Sequence, residues 1–417
     1  MISPGSGSDT RFSSLDIVRG VAVLGILTMN IVGFAQIPAA YLNPTATGPA
    51  GALETLLYLT QFVLFDGKMR GLFSVLFGAS MLLVIERAQA SGRNPAQVHF
   101  ARMGWLLAFG LAHLYLIWWG DILTQYALVG MIAYAFRRQQ THKLIVVGII
   151  LIALQTITMI GLPVTVAAAL AGQPDPATAA RTLVELERAF GRPDPGSIAT
   201  QLAAYRGSYA DAVAFRWRVY GDTPLNALMQ NGFETLAYML FGMAALRSGL
   251  LTGIWERRRL RQLAILGFGL SLPLYLLLAF YIAARGFDLY AIVLGVITLP
   301  VPVRPIMIFG WVALILLALP PGKPFADRLA TVGQMAFSNY IATSLICTTI
   351  FYGHGLGLFG RLDRLALVPI MLVVWALMLS WSPAWLARYR QGPLEWLWRS
   401  LARGRIEPLR KVATATQ

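Results

Sequence analysis

The chain has 417 residues, of which 57% are hydrophobic and 13% charged, and 34 Lys and Arg against 19 Asp and Glu give it a net charge of +15. A soluble domain carries roughly 25% charged residues, so there is too little polar surface here to coat the cores that a soluble chain of this length needs. The same apolar content excludes disorder. No basic soluble module stands out, which sets nucleic acid aside, and the single Cys347 allows neither an internal disulfide nor a cysteine metal cluster. The expectation is an all-α polytopic membrane helix bundle whose main partner is the lipid bilayer.

A spanning helix needs about 20 mostly apolar residues. The first such run is 15–37; its charged flank RFSSLDIVRG and the lack of a small-residue cleavage site mark a retained span, not a signal. The next apolar block is interrupted by Asp66, Lys68 and Arg70, so 53–66 is read as an interfacial helix and 69–87 as a span. Further spans are expected at 100–119, 121–137, 143–169, 225–246, 262–284, 333–352 and 365–387. Between them, 288–320 carries Pro300, Pro302 and Pro305 and reads as one crossing or as a short segment plus a span. One crossing gives about ten spans with both termini in the cytoplasm. Two would put the basic tail 388–411 outside, against the positive-inside rule, so one is preferred.

In that topology the cytoplasmic segments hold 21 basic residues against six acids, among them Asp9, Arg11, Arg87, Arg93, Arg102, Arg137 and Arg138. Topology signalling accounts for such arginines; an anionic lipid or a polyphosphate cofactor is the sharper alternative. The one long polar stretch, 170–224, falls outside the membrane on the opposite face. Its two Pro-Asp-Pro units, 174–176 and 193–195, precede helix-like segments and suit helix starts. The chain thus divides into an N-terminal five-span half (1–169), a small helical cap (170–224) and a C-terminal five-span half with a basic tail (225–417).

Ionisable groups inside spans are candidates for function. Asp16 and Arg19, three apart on the first span, pair on one helix face and read as a structural pair. His113 lies about 10 Å below the outer end of the third span, Asp121 follows at the turn, and Gln125 is one turn into the next span. An antiparallel hairpin lets Gln125 face the imidazole and Asp121 orient it, so that His113 serves as a base. A histidine satisfied by a neighbouring helix is the plainer reading. Asn30, Asp66, Lys68, Arg70 and Glu234 are expected at the same outer level as a substrate-binding set, although snorkelling alone explains Lys68 and Arg70. His99 and His142 read as cytoplasmic loop residues and His354 as part of a glycine-rich turn. No metal-ligand spacing occurs.

Seven segments, LDIVRGVAVLGILTMNI, AAYLNP, LFSVLFGA, GLAHLYLIWWGDILTQYALVG, MLFGMAALRSGLLTG, VGQMAFSNYIATSLICTTIFY and RQGPLEWLWRSL, run in order from residue 15 to 401. Together they resemble the YeiB-like family of bacterial inner-membrane proteins, whose C-terminal half is a domain of unknown function. That family is distantly similar to membrane acyltransferases of the heparan-α-glucosaminide N-acetyltransferase type, chiefly in the LDxxRG pattern of the first span. The resemblance implies a bacterial inner (plasma) membrane, a periplasmic cap, a homodimer, and transfer of an acyl group from cytosolic acetyl-CoA to an acceptor on the far side. In those enzymes the histidine follows the first span; this sequence has none between Asn30 and Gly71, which leaves the role to His113.

Two functions are therefore expected. In the first, acyl-CoA is held by Arg87, Arg93, Arg102, Arg137 and Arg138, without a metal. His113 deprotonates a glycan, lipid or small-metabolite acceptor, Asp121 orients the imidazole, and Lys68 or Asn30 stabilises the oxyanion. In the second, the same residues line the path of a transporter or exporter, His113 and Asp121 form a proton relay, and the three prolines mark a broken helix.

Overall fold

The computed structural model describes residues 13–411; Asp9 and Arg11 lie outside the described residues. The elements in chain order are α1 (Ser13–Ala35), α2 (Ala39–Leu42), α3 (Ala52–Leu64), α4 (Lys68–Ala90), α5 (Pro95–Ala112), α6 (Leu123–Ala133), α7 (Thr141–Leu170), α8 (Pro176–Phe190), α9 (Pro195–Arg206), α10 (Tyr209–Tyr220), α11 (Thr223–Arg247), α12 (Arg257–Ala284), α13 (Leu289–Ile292), α14 (Pro300–Ala318), α15 (Pro324–Gln334), α16 (Ala336–Phe351), α17 (Leu367–Arg388) and α18 (Pro393–Arg403). Among the described residues there is no β-strand, only an isolated bridge between Tyr389 and Arg410. The protein is an all-α helical bundle.

Seven helical stretches are long and apolar enough to cross a membrane: α1, α3 with α4, α5 with the turn after it, α7, α12, α14 and α17. Three shorter apolar stretches, 123–136, 289–298 and 336–351, accompany them. The outward faces of α7 and α12 expose Ile149, Ile157, Leu266, Leu277 and Phe280, a surface suited to lipid and not to water. The expected span at 225–246 is α11, whose Glu234–Leu246 stretch is buried without a break. It is more polar than the outer helices because its polar groups are paired inside the bundle and not offered to lipid.

Close backbone contact draws α11 to the centre. A Cβ on Gly242 would lie 1.8 Å from the Val75 carbonyl oxygen of α4, and one on Gly78 would lie 2.1 Å from that of Met239. Small residues of this kind let membrane helices touch along their main chains. The expected interfacial helix is α3, which joins α4 through a tight turn at Gly67, where φ is +68°. Residues 289–318 form one nearly continuous helical segment, α13, a π-helical stretch at Val293–Thr298, and α14. The wider turn precedes the prolines: Leu299 N–H donates to Leu294 O at 2.9 Å and the Thr298 hydroxyl to Val293 O at 2.9 Å.

Alternate loops gather at two opposite ends. At the basic end, Arg247 Nη2 donates to Arg137 O at 2.6 Å and Trp398 Nε1 to Arg102 O at 2.8 Å. At the cap end, Arg192 Nη2 donates to Gly286 O at 2.7 Å, Arg206 Nε to Phe359 O at 2.8 Å, and Asn43 Nδ2 to Phe287 O at 3.0 Å. Each Pro-Asp-Pro unit starts a cap helix. Asp175 and Asp194 accept from the N–H of Thr178 (3.0 Å) and Ser197 (2.9 Å), and the second proline takes the first helical position.

Candidate functional site

His113 stands where α5 changes from an α-helix to a single π-helical turn, His113–Ile117. Such turns are frequent at functional sites because they re-aim side chains. The chain then doubles back into α6 so closely that a Cβ on Gly110 would lie 2.4 Å from the Thr124 nitrogen. This hairpin brings Asp121 to the imidazole. Asp121 Oδ1 lies 2.9 Å from His113 Nδ1, and the same carboxylate caps α6 by accepting from Leu123 N–H (3.2 Å) and Thr124 N–H (2.7 Å). With Asp121 as a carboxylate, which only accepts, a neutral imidazole carries its proton on Nδ1 and has Nε2 as the acceptor. Opposite Nε2, at 2.9 Å, is the hydroxyl of Ser344 from α16. His113 and Ser344 are each 1% exposed.

The cap holds the turn in place. A π-helical turn leaves carbonyls without helical donors. Arg216 of α10 supplies them, Nε donating to Tyr115 O at 3.1 Å and Nη2 to Leu116 O at 2.9 Å. The Tyr209 hydroxyl also donates to Leu116 O, at 2.9 Å.

Two cavities beside this arrangement share part of their lining. The larger, about 370 Å3, has Arg19, Arg87, Arg102 and Arg399 on its walls and reaches Phe73, Ile122 and Tyr340. The smaller, about 20 Å3, shares those last three residues and adds Asn30, Thr343 and Ser344. The tail helix α18 walls the larger one: Trp398 packs under Arg102 at 4.0 Å. Glu395 accepts from the first-turn N–H groups of Phe337 (2.8 Å) and Ser338 (3.2 Å), tying the tail to the start of α16.

The expected residues separate into groups. His113 and Asp121 are joined as anticipated, and Asn30 shares a cavity with Ser344. Gln125 does not face the imidazole: its amide donates to Thr235 at 2.9 Å, because α6 turns that side toward α11. Lys68 neither snorkels nor approaches His113. It is fully enclosed, donates to Phe62 O at 2.5 Å and lies 3.4 Å from the Tyr275 ring centre, because α3 and α12 close over it. Arg70 and Glu234 form a second buried cluster with Arg304, which the sequence reading had not picked out: Glu234 accepts from Arg70 at 3.1 Å, from the Tyr238 hydroxyl at 2.8 Å and from Arg304. Half-buried Asp66 belongs with Lys68 and Arg304 by its charge. None of these side chains lines either cavity.

Of the five arginines expected around a cofactor, Arg87 and Arg102 line the large cavity, while Arg93, Arg137 and Arg138 do not. Arg93 donates to Ser91 and Arg137 to Tyr134 O, at 3.0 and 3.1 Å, each a partner on its own loop. Arg19 makes the expected pair with Asp16 at 2.9 Å, and both residues also line the cavity, with Arg19 donating to Ser80 at 2.6 Å. His99 is not a loop residue; it is in α5, buried, bonded to Gly130 O at 3.0 Å and stacked on Tyr134. His354 packs edge-on against Tyr209 and Tyr352. Among the described residues no group of His, Cys, Asp and Glu is placed to hold a metal ion.

Fold and site together define a helical membrane-bundle protein with an Asp–His–Ser chain of hydrogen bonds next to an arginine-lined cavity. The chain belongs to the YeiB-like family. It is 32% identical to the uncharacterized protein YeiB of Escherichia coli (strain K12), over 94% of this chain and 96% of that one. It is 29% identical to the uncharacterized protein YxaH of Bacillus subtilis (strain 168), over 97% of each. Residues 245–405 match the model of the family described as "Protein of unknown function (DUF418)". No solved structure matches the chain.

Proposed function

We propose that this protein is a multi-pass acyltransferase of the bacterial inner membrane, which takes an acyl group from cytosolic acyl-CoA and passes it to an acceptor at the cap end. The observation that carries the reading is the arginine-lined cavity, whose inner end shares Phe73, Ile122 and Tyr340 with the small cavity at Ser344. Arg87, Arg102 and Arg399 suit the phosphates of the nucleotide, since guanidinium forks match phosphate oxygens. The apolar walls of Phe77, Leu106 and Phe337 suit the arm that bears the thioester. In this reading His113, oriented by Asp121, takes the proton of the attacking group, and the amide of Asn30, on the small cavity, serves the oxyanion. The acceptor is a hydroxyl or amine of a glycan, lipid or small metabolite.

Purified protein in vesicles, given labelled acetyl-CoA on the basic side and membrane extract on the other, is expected to transfer label, and His113→Ala to lose it. Undiminished transfer by His113→Ala removes His113 from the mechanism. Solute flux without acetyl-CoA, and without label transfer, replaces the reading with the transporter. The orientation has its own test: Cys347 is buried, so new cysteines report cleanly. Ala90→Cys should react with an impermeant maleimide only from the cytoplasm and Ala199→Cys only from outside; the reverse pattern inverts the protein and sinks the donor assignment.

A further inference from the structure

We infer that Ser344 is the nucleophile, and that it carries the acyl group as an ester between two half-reactions. This rests on the acyltransfer reading and adds a covalent intermediate to it. The argument is one of position. His113 lines neither cavity, whereas Ser344 lines the small one. Of the two bonded residues, Ser344, whose hydroxyl is 2.9 Å from Nε2, is thus the one on a cavity wall. At about 20 Å3 the cavity has room for roughly one water, so a thioester or acceptor must widen it, and in doing so reaches a wall that includes Ser344 and not His113.

The hydrogen-bond directions fit the same role. In the neutral ring with Asp121 as a carboxylate, the proton sits on Nδ1 and the lone pair of Nε2 faces the hydroxyl. The hydroxyl has one other acceptor in reach, its own helix's Tyr340 O at 3.2 Å. A nucleophile beside a base that is itself oriented by a third group is the general arrangement of acyl-enzyme chemistry, recognised by geometry and not by order in the chain. Asn30, on the same cavity, makes no side-chain hydrogen bond among the described residues, which leaves its amide available to an oxyanion.

The steps balance. Ser344 Oγ attacks the thioester carbonyl, its proton passes to His113 Nε2, the carbon–sulfur bond breaks, and the proton leaves on the sulfur as free CoA. An acceptor hydroxyl then attacks the seryl ester, giving its proton to Nε2. The Oγ–acyl bond breaks, and that proton returns to Oγ.

The test uses the full chain in detergent or nanodiscs with two probes, acetyl-CoA and a fluorophosphonate that reacts with activated serines. Acetyl-CoA is expected to leave an ester on the peptide containing Ser344, released by hydroxylamine, and the fluorophosphonate to modify the same residue. His113→Gln should slow both by about 10²–10⁴-fold. Ser344→Cys, which keeps a side chain of similar size, should trap a thioester instead. Fluorophosphonate labelling of Ser344 without an acetyl ester would uphold the nucleophile and discard acetyl-CoA as donor. Full transfer by Ser344→Ala, or an adduct mapped to another residue, would overturn the inference while leaving the acyltransfer reading in place. Folded wild-type protein that reacts with neither probe would overturn it as well.

Discussion

Two buried clusters of ionisable side chains in this protein contrast in one respect, access. Around Glu234, two arginines and a tyrosine converge on one carboxylate, and none of them lines a cavity. Around His113, the Asp121 carboxylate and the Ser344 hydroxyl hold the ring from two sides, but the third member of the line opens on a cavity. Burial of charge alone therefore does not mark a place for chemistry. A cluster whose groups are paired with one another fixes how α4, α11 and α14 pack, whereas a cluster with one member on a cavity wall has something to offer a substrate.

That contrast can be broken by experiment. The largest effect is expected from His113→Gln, which keeps a donor toward Asp121 and removes the base: acyl transfer should fall about 10²–10⁴-fold with little change in thermal unfolding in detergent. A large loss of stability at unchanged specific activity would reverse its role. Glu234→Ala should do the opposite. It leaves two arginines facing each other without their carboxylate, a loss on the order of 3–5 kcal/mol, visible in thermal unfolding, while the molecules that remain folded still transfer. If Glu234→Ala melts like the wild type and is inactive, the closed cluster is the chemical one.

Arg216→Ala probes the link between cap and site. Freed of its two main-chain anchors, the His113 turn should relax, and transfer should drop by about 10²-fold or less, the scale of a small misplacement. Arg216→Lys should recover part of it, and a variant indistinguishable from wild type would show that the cap does not hold the turn. Arg102→Ala and Arg399→Ala are expected to raise KM for acetyl-CoA by about 2–5-fold each, the scale of a solvent-accessible charge pair, with kcat unchanged and the difference shrinking as salt is added. A change in kcat alone would detach these arginines from donor binding.

The smallest effect belongs to the cap. The Ser197 hydroxyl and N–H hold the Asp194 carboxyl below its ordinary range. Its contribution to the start of α9 is thus present above about pH 4 and lost as the pH falls through the lowered value. Limited proteolysis within α8–α10 should quicken on acidification of the wild type and be less pH-dependent in Asp194→Asn.

The pairing of His113 with Asp121 was legible because both are polar residues in one apolar hairpin, eight apart across a turn. Ser344 was not. A serine in an apolar helix ordinarily bonds its own i−4 carbonyl, so nothing in the sequence marks Ser344, whose histidine partner is 231 residues away. The face of Gln125 is not legible because α6 is apolar almost all round, so its rotation is set by packing against α11 and not by any stripe in the sequence. Lys68 and Arg70 follow the same logic in reverse. Long basic side chains near a helix end usually reach for water, and only the closing of α3 and α12 keeps Lys68 from doing so. Arg304 sits among three prolines whose pattern points to a broken helix and not to a buried ion pair.

The histidine and aspartate come from the first half of the chain, the serine and the tail-helix wall from the second. The DUF418 family model begins at residue 245, beyond His113 and Asp121. A match to that model alone therefore selects chains by the part that carries Ser344 and says nothing about whether the other two groups are there. Surveys of relatives should be sorted on the hairpin at 113–121 as well, and any fragment expressed from the second half alone will lack two of the three members of the line.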